Sequence, residues 1–123
     1  MVFSLFLLLV LAASGFAQSN KKRPFDAWAL QRLVRLSEVR LSPDGLTVAF
    51  VGARVSLLHN NIEKHIYTTP IAGGEATRIT YHGKSNSRPR WSPDSRQLAF
   101  VSDRSGSSQI WLTNLRGGNA RQV

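Results

Sequence analysis

The sequence contains no cysteine and few acidic residues. The absence of cysteine excludes disulfide bonds, thiolate zinc sites, a cysteine nucleophile and lipid attachment through an N-terminal cysteine. Seven Asp and Glu stand against sixteen Lys and Arg, so the formal net charge is +9. The 123 residues suffice for one ordinary domain, and the 42% hydrophobic content is typical of a globular protein.

Charge is also missing from the start of the chain, "MVFSLFLLLVLAASGFA". The apolar run Val2–Ala13 has the length of a signal-peptide core, roughly 7–15 residues, and is shorter than the ~20 residues of a spanning helix. Gly15 and Ala17 place small residues before a cleavage site between Ala17 and Gln18. We predict a signal peptide over residues 1–17, a periplasmic or extracellular location, and no stable membrane span after cleavage. An uncleaved anchor or a buried N-terminal helix is the alternative.

Residues 18–37 are predicted to form a linker followed by a helix. The stretch "SNKKRPF" is polar, basic and proline-bearing, as linkers are. In "DAWALQRLVRL", Asp26–Leu36, Asp26 can cap a helix and Phe25 can pack against Leu30. The apolar residues that follow fall near helical spacing. We expect a short amphipathic helix that packs on its own domain rather than on a membrane surface.

Two stretches of the chain are nearly the same: "SPDGLTVAFV" at Ser42–Val51 and "SPDSRQLAFV" at Ser92–Val101. A second pair matches as well, "IYTTPIAGGEATRI" at Ile66–Ile79 and "IWLTNLRGGNARQV" at Ile110–Val123. The first pair recurs at an offset of 50 residues and the second at 44. The difference of six residues lies in the segment that joins the two matching stretches within each unit. Such repetition marks a repeated structural unit.

Each unit alternates turn signals with strand signals. Pro-Asp-Gly suits a tight turn in which the glycine takes a positive φ, so Ser95 at the equivalent position of the second unit is expected to be more strained. The following strand places Val48 and Phe50 on one face and the smaller Ala49 and Val51 on the other, so both faces can be covered. The predicted turn residues of the two units are Ser42, Pro43, Asp44, Gly45, Gly73 and Gly74, and Ser92, Pro93, Asp94, Ser95, Gly117 and Gly118.

The fold predicted from these units is all-β. Four antiparallel strands in about 40–45 residues are typical of a β-propeller blade, and a β-sandwich is the rival interpretation. We predict blade 1 over residues 38–80 and an incomplete blade 2 over residues 81–123. Because propellers close with roughly 4–8 blades, two blades form an incomplete propeller. The chain is therefore interpreted as the front part of a longer protein.

The repeats resemble those of prolyl oligopeptidase family serine peptidases, in particular acylaminoacyl-peptidase-like and dipeptidyl-aminopeptidase-like members. The resemblance rests on "LSPDGLTVAFV", "PRWSPDSRQLAFVSDRSGSSQIW", the pair "GGEATRIT" and "GGNARQV", and the lead-in "FDAWALQRLVRLSEVRLSPDG". It covers about Pro24–Val123. TolB-like periplasmic propellers share the repeats, although the lead-in is less typical of them.

The resemblance implies a gate. In that family the propeller covers an α/β-hydrolase domain with a Ser-Asp-His triad and admits peptides but not folded proteins. This sequence has no G-x-S-x-G motif, so no catalytic residue is carried over. We expect peptide substrates to be handled by a hydrolase domain outside this chain. We expect no catalytic residue, cofactor or metal within it.

Other sites are not supported by the sequence. His59 and His65 lack the spacing and the paired carboxylate of a metal site, and His59, His65 and His82 are all expected in loops. Asp44 and Asp94 have turn roles that explain both carboxylates. The Gly-Gly pairs lack the lysine and the strand-to-helix context of a phosphate loop. The arginines are scattered rather than gathered along a groove, so nucleic-acid binding is not predicted.

The sequence is compatible with three hypotheses. The chain is the exported N-terminal part of a serine peptidase, or part of a TolB-like propeller that acts as a protein-binding scaffold. The third is a complete short protein that assembles blades from several chains.

Overall fold

The computed structural model describes residues 33–117 and 119–123, which form two four-stranded antiparallel sheets. The first sheet, blade 1, consists of β1 (Arg35–Leu41), β2 (Thr47–Ser56), β3 (Asn61–Pro70) and β4 (Thr77–Arg78). The second sheet, blade 2, consists of β5 (Asn86–Trp91), β6 (Gln97–Ser102), β7 (Gln109–Asn114) and β8 (Arg121–Gln122). In each sheet the strands lie in chain order. This confirms the all-β fold and the pair of blades.

The predicted amphipathic helix overlaps the first strand. Arg35 and Leu36, its last two residues, belong to β1 and pair with Ala53 and Gly52. The rest of that segment up to residue 32, the predicted signal peptide and the cleavage site between Ala17 and Gln18 lie outside the described residues, as does Gly118. Helical spacing is ambiguous here because the apolar residues of "RLSEVRL" also suit a sheet edge.

Both blades carry the same irregularity in their first strand. The pairing of β1 with β2 shifts register between Ser37 and Arg40, and β5 with β6 shifts between Ser87 and Arg90. Glu38 has a φ of 52° in the first blade, and Arg88 has a φ of 54° in the second. A residue inserted in this way forms a β-bulge, which bends the strand and increases its twist. Neither bulged residue is glycine, so no residue of the sequence signals the bulge.

The two sheets pack face to face, and the core lies between them. We call the side of each sheet that holds Ala49 and Val51, or Ala99 and Val101, the back face. The opposite side, with Phe50 or Phe100, is the front face. The buried cluster joins the back face of blade 1 to the front face of blade 2; its members are Ala49, Val51, Ile66, Ile79, Leu98 and Phe100. Blade 2 therefore follows blade 1 as one propeller blade follows another.

The connection between the blades is tied to both of them. Lys64 N in β3 donates to Lys84 O at 2.8 Å, and Lys64 and Ser85 form a parallel bridge. On the other side, Asp103 Oδ1 accepts from the backbone N–H groups of Lys84 and Ser85 at 2.9 and 3.0 Å. These bonds fix the angle at which blade 2 leaves blade 1.

Candidate functional site at the contact between the blades

The two predicted Ser-Pro-Asp turns have the same hydrogen bonds. In the first, the Ser42 hydroxyl donates to Asp44 Oδ1 and accepts from Thr47 N at 3.0 Å, and Leu46 N donates to the same carboxylate at 3.0 Å. These donors lower the pKa of Asp44, the Ser42 hydroxyl most of all. The aspartates therefore act as exposed turn-forming acceptors, and the geometry gives them no acid–base partner.

The second turn repeats these bonds with its own residues. Asp94 Oδ1 accepts from the Ser92 hydroxyl and from Arg96 N. The Ser92 hydroxyl bond again contributes most to the lowered pKa of Asp94. The carboxylate role predicted from the sequence is therefore the same in both turns.

The two turns differ in how they meet the neighbouring blade. Gly45 has a φ of 73° and Ser95 a φ of 61°, so the predicted positive φ is confirmed in the first copy and the second copy holds a strained serine. A non-glycine residue in this region costs roughly 1 kcal/mol or more. The Ser95 hydroxyl accepts a hydrogen bond from Asp44 N at 3.1 Å, across the contact between the blades. That bond offsets the strain and explains the serine.

Two further bonds cross the contact near the inner strands. Trp91 Nε1 donates to Arg40 O at 3.0 Å. The backbone N–H of Arg88 donates to the Glu38 carboxylate. Both bonds join β5 to β1, and β5 also packs against β2 and β3. The inner edges of the two sheets therefore converge, as they do around the axis of a propeller.

A buried histidine lies where the blades and their connection meet. The prediction that His65 lies in a loop is wrong, because His65 belongs to β3 and is only 6% exposed. Its Nδ1 lies 3.2 Å from Asn86 Nδ2 and 3.4 Å from the hydroxyl oxygen of Thr80. The Thr80 hydroxyl already accepts from Ile66 N at 2.9 Å, so its own proton is free to be donated. A proton on Nδ1 would face the protons of the Asn86 amide, so the neutral ring carries its proton on Nε2.

The same burial determines how His65 titrates. Burial, followed by the charge of Arg78, lowers the pKa of His65, and Glu63 and Asp103 oppose the shift. Glu63 Oε2 lies 4.0 Å from His65 Nε2. The structure therefore favours a neutral histidine that accepts a hydrogen bond across the contact, and this is a structural role.

Asn86 connects His65 to the rest of the contact. Its Nδ2 also lies 3.1 Å from Lys64 O and from His82 O, so its two protons are shared among these carbonyls and His65 Nδ1, and its Oδ1 accepts from the Arg104 guanidinium at 3.3 Å. Arg104 also lies over the rings of Phe100 and Trp111, at 5.0 and 4.8 Å from their centroids. One fully buried amide thus joins blade 1, the connection and blade 2.

A serine, a histidine and a glutamate come together in the turn after β2, but not as a catalytic triad. The Ser56 hydroxyl lies 3.2 Å from His59 Nδ1, and Glu63 Oε1 lies 2.7 Å from the same nitrogen. A triad needs the acid and the nucleophile on opposite ring nitrogens. The geometry therefore cannot relay a proton from the serine to the acid.

Metal binding has equally little support in the part of the chain that is described. No group of three His, Cys, Asp or Glu is arranged there to hold a metal ion. His59 and His65 both approach Glu63, yet His65 turns its Nδ1 toward Asn86 and Thr80. His82 is exposed and contributes its backbone carbonyl to the Asn86 contact.

Sequence reasoning identified the turns and missed the side chains that join the blades. Ser95, Trp91 and Asn86 make the contacts from blade 2, whereas the equivalent positions of blade 1 hold Gly45, Leu41 and Leu36. These contact residues lie at positions where the sequences of the two repeats differ, and that difference could have identified them. A polar residue in one copy and an apolar one in the other indicates a contact that only one copy makes.

The repeats match a known family of domains. Residues 36–123 match the family described as PD40, TolB beta propeller domain. Over 103 residues the chain is 31% identical to an uncharacterized peptidase, YuxL, of Bacillus subtilis, and the match covers 83% of this chain and 16% of that protein. Among the described residues, no helix is long and apolar enough to cross a membrane.

Solved structures agree with the fold. The acylaminoacyl peptidase of Pyrococcus horikoshii is 29% identical, with a TM-score of 0.60 over 76% of this chain and 14% of that chain. A protein described as a putative TolB, from Agrobacterium tumefaciens, is 30% identical, with a TM-score of 0.59 over 74% of this chain and 30% of its own. The chain thus spans less than a third of each of these relatives. By its repeats, its blade topology and the match over residues 36–123, this chain belongs to the TolB beta-propeller domain family.

Proposed function

We propose that this chain is the N-terminal propeller part of an exported serine peptidase and helps to gate the access of peptides to a hydrolase domain. The observation that carries the proposal is the similarity to two peptidases over most of this chain and about a sixth or less of theirs. The repeats, by contrast, supply no usable nucleophile and base among the described residues. The bond-breaking residues of such an enzyme therefore belong to another domain.

The arrangement of the blades supports a gating role. β1 and β5 are the edge strands that approach each other, and the short strands β4 and β8 lie at the opposite edges. Further blades added with the same geometry would continue around an axis on the side of β1 and β5. A rigid ring around a narrow opening admits an extended peptide and excludes a folded protein.

The reading frame beyond Val123 provides the first test. We expect additional blades and then a G-x-S-x-G motif on a strand-to-helix turn. The expressed full-length protein should be labelled by a fluorophosphonate, and changing the motif serine to alanine should abolish both labelling and cleavage of acyl-peptide substrates. A reading frame that continues for several hundred residues without this motif contradicts the proposal.

Export is a separate part of the proposal, and it rests on residues 1–17. Residues 1–24 can be fused to an alkaline phosphatase that is active only outside the bacterial cytoplasm. We expect an active fusion whose N-terminus is processed between Ala17 and Gln18. The matched control, Leu8→Arg, interrupts the apolar run and should abolish activity. An equally active control would contradict export through this segment.

A second candidate is a TolB-like scaffold that works through protein contacts. It is favoured by the family match and by the 30% identity to the Agrobacterium protein. A reading frame that adds further repeats and then stops would favour it over the peptidase. The scaffold would show no fluorophosphonate labelling.

A further inference from the structure

The hairpin of β2 and β3 is longer than the equivalent hairpin of blade 2. β2 and β3 have ten residues each, whereas β6 and β7 have six. In blade 2 the pairing of these strands ends at Ser102 and Gln109. Blade 1 continues beyond the equivalent position, as far as Ser56 and Asn61. Residues 53–64 therefore project from the sheet as a two-stranded arm, and the extra length of the first repeat lies in this arm.

The end of the arm exposes large apolar side chains. Val55 and Ile62 form a cross-strand pair and are 40% and 57% exposed. Leu57 and Leu58 follow in the turn and are 60% and 88% exposed. Single apolar residues on a surface are ordinary, but a contiguous group of them is typical of an interaction site. We call these four residues the apolar tip.

The apolar tip lies beyond the part of the sheet that a neighbouring blade covers. Blade 2 buries Ile66 on the back face, whereas Ile62, on the same face but nearer the turn, is 57% exposed with blade 2 in place. The strands of blade 2 are too short to reach it. A further blade of that length against the front face would end at the same level. Additional blades therefore leave the apolar tip uncovered.

Hydrogen bonds hold the arm in one shape. Asn60 has a φ of 47°, and its backbone N–H donates to Leu57 O at 3.4 Å to close the turn. His59 Nδ1 lies 3.2 Å from the Ser56 hydroxyl and 2.7 Å from Glu63 Oε1, so it ties the two strands together. A surface that is already ordered loses little conformational entropy when it binds. The arm is thus suited to docking.

The arm lies on the side of the sheets at which the chain enters and leaves each blade. β1 begins beside Ala53, at the base of the arm. After β4 the chain passes Lys64, whose N–H donates to Lys84 O in the connection to blade 2. β8 pairs with β7 as β4 pairs with β3, so it runs toward the same side. In a propeller built from such blades, the residues that follow the last blade leave beside the arm.

The flanks of the arm are basic. Arg54 and Lys64 on the arm and Lys84 beside it are exposed, whereas the Glu63 carboxylate is engaged by His59. A complementary partner therefore has an apolar patch with an acidic rim. The linker "SNKKRPF" that precedes the described residues is itself basic. Two copies that met arm to arm would also oppose like charges, so neither of these occupants is favoured.

We propose that the apolar tip of the arm docks on the hydrolase domain that follows the propeller. The contact would hold that domain over the opening, with the four apolar side chains buried against it and the basic flanks facing its acidic rim. The inference rests on the proposed function, because it needs the hydrolase domain of a peptidase as the partner. It adds the part of this chain that fixes the position of that domain.

Photo-cross-linking of the full-length protein identifies what the tip contacts. The protein encoded by the whole reading frame is made with p-benzoylphenylalanine in place of Leu58, irradiated, digested and analysed by mass spectrometry. We expect a cross-link from position 58 to the hydrolase domain of the same chain. The matched control has the same replacement at Ile71, which is 59% exposed in the turn after β3, on the opposite side. It should give no cross-link to that domain.

A double substitution measures the weight of the contact. Leu57→Ser combined with Leu58→Ser removes most of the apolar surface of the turn. Limited trypsin digestion of the full-length protein should then cut between the propeller and the hydrolase domain at least ~10-fold faster, because two leucine side chains no longer hold the domains together. Ile71→Ser is the control and should leave the rate of cutting unchanged. Both leucines are exposed in the described chain, so the propeller itself should fold normally.

Several results would overturn the proposal. A cross-link from position 58 to residues 1–32 or to a second copy would assign the tip to another occupant, and so would binding to phosphatidylglycerol vesicles that the double variant loses. An unchanged rate of cutting in the double variant would show that the tip holds nothing. If fluorophosphonate still labels the full-length protein in these cases, only the docking inference fails. A reading frame without a hydrolase domain would overturn the proposed function as well.

Discussion

The two blades repeat one sequence pattern, yet they differ in what they bury. Phe100 is 1% exposed, whereas Phe50 at the equivalent position is only partly covered. The back faces show the opposite difference, since Val51 is buried and Val101 is partly exposed. A blade's own sequence thus sets its strands and its twist, and the neighbouring blade decides which face becomes core.

The largest effect should come from truncating the two equivalent phenylalanines. Phe100→Ala removes a fully buried ring and should lower the free energy of unfolding by about 3–5 kcal/mol. Phe50→Ala should cost less than half as much, because solvent already reaches that ring. Urea unfolding followed by tryptophan fluorescence measures both. Equal losses would contradict the difference in burial between the two rings.

A smaller effect is expected at the two turns. A Cβ added at Gly45 would meet no atom within 4 Å, so Gly45→Val tests the φ of 73° alone. It should lower the free energy of unfolding by on the order of 1 kcal/mol or more. Unchanged thermal stability of this variant would contradict the assignment of a positive φ to Gly45.

The second turn depends on the hydroxyl of Ser95, whereas the first depends on the backbone freedom of Gly45. Ser95→Ala keeps the strained backbone and leaves Asp44 N without its acceptor, which should cost roughly 1–2 kcal/mol. Ser95→Gly is the matched control, because it removes the same bond but also the strain, and should cost less than Ser95→Ala. If the alanine variant were as stable as the unchanged chain, the hydrogen bond between Asp44 and Ser95 would make no contribution to stability.

The smallest effect is pH-dependent and concerns the contact itself. The pKa of His65 is lowered from 6.5 in the folded state by burial. Well above pH 6.5 the ring is neutral in both states and contributes nothing. Below pH 6.5 the unfolded chain binds the proton first, so stability should fall with decreasing pH until the folded pKa is reached. The slope for one proton cannot exceed about 1.4 kcal/mol per pH unit.

Unfolding measured between pH 8 and pH 5 checks this dependence. His65→Gln should flatten the curve in that window, and His82→Gln, the same change at an exposed histidine, is the matched control. The Glu63 and Asp103 carboxylates favour the charged ring, and Arg78 disfavours it. A His65→Gln variant that keeps the full slope would assign the pH dependence to another group.

The strands and turns of each blade could be predicted from the sequence, whereas the contact between the blades could not. The Ser-Pro-Asp turns and the Ala-Phe-Val strands could be predicted because turn chemistry and alternation act within a few residues. The bulges at Glu38 and Arg88 could not, since neither residue has an intrinsic preference for a positive φ. The His65–Asn86 contact joins residues 21 positions apart, and nothing local to either one indicates the other.

The end of the predicted helix shows the same limit. The apolar spacing through Leu36 favours a helix, but Arg35 and Leu36 pair with β2. Hydrogen bonds to a neighbouring strand outweigh a weak helical pattern, because propensity is a small term beside tertiary contacts. The candidate site was likewise predicted as turns alone, and its cross-blade bonds depend on packing.

The bonds from blade 2 have a consequence for how such repeats can diverge. Ser95, Trp91 and Asn86 contact main-chain atoms of blade 1, at Asp44 N, Arg40 O and Lys64 O. Every amino acid supplies the carbonyls, and every one except proline supplies the N–H. The side chains at positions 40 and 64 can therefore change without loss of these bonds. A duplicated blade joined in this way is free to acquire a new surface while its attachment to the neighbouring blade persists.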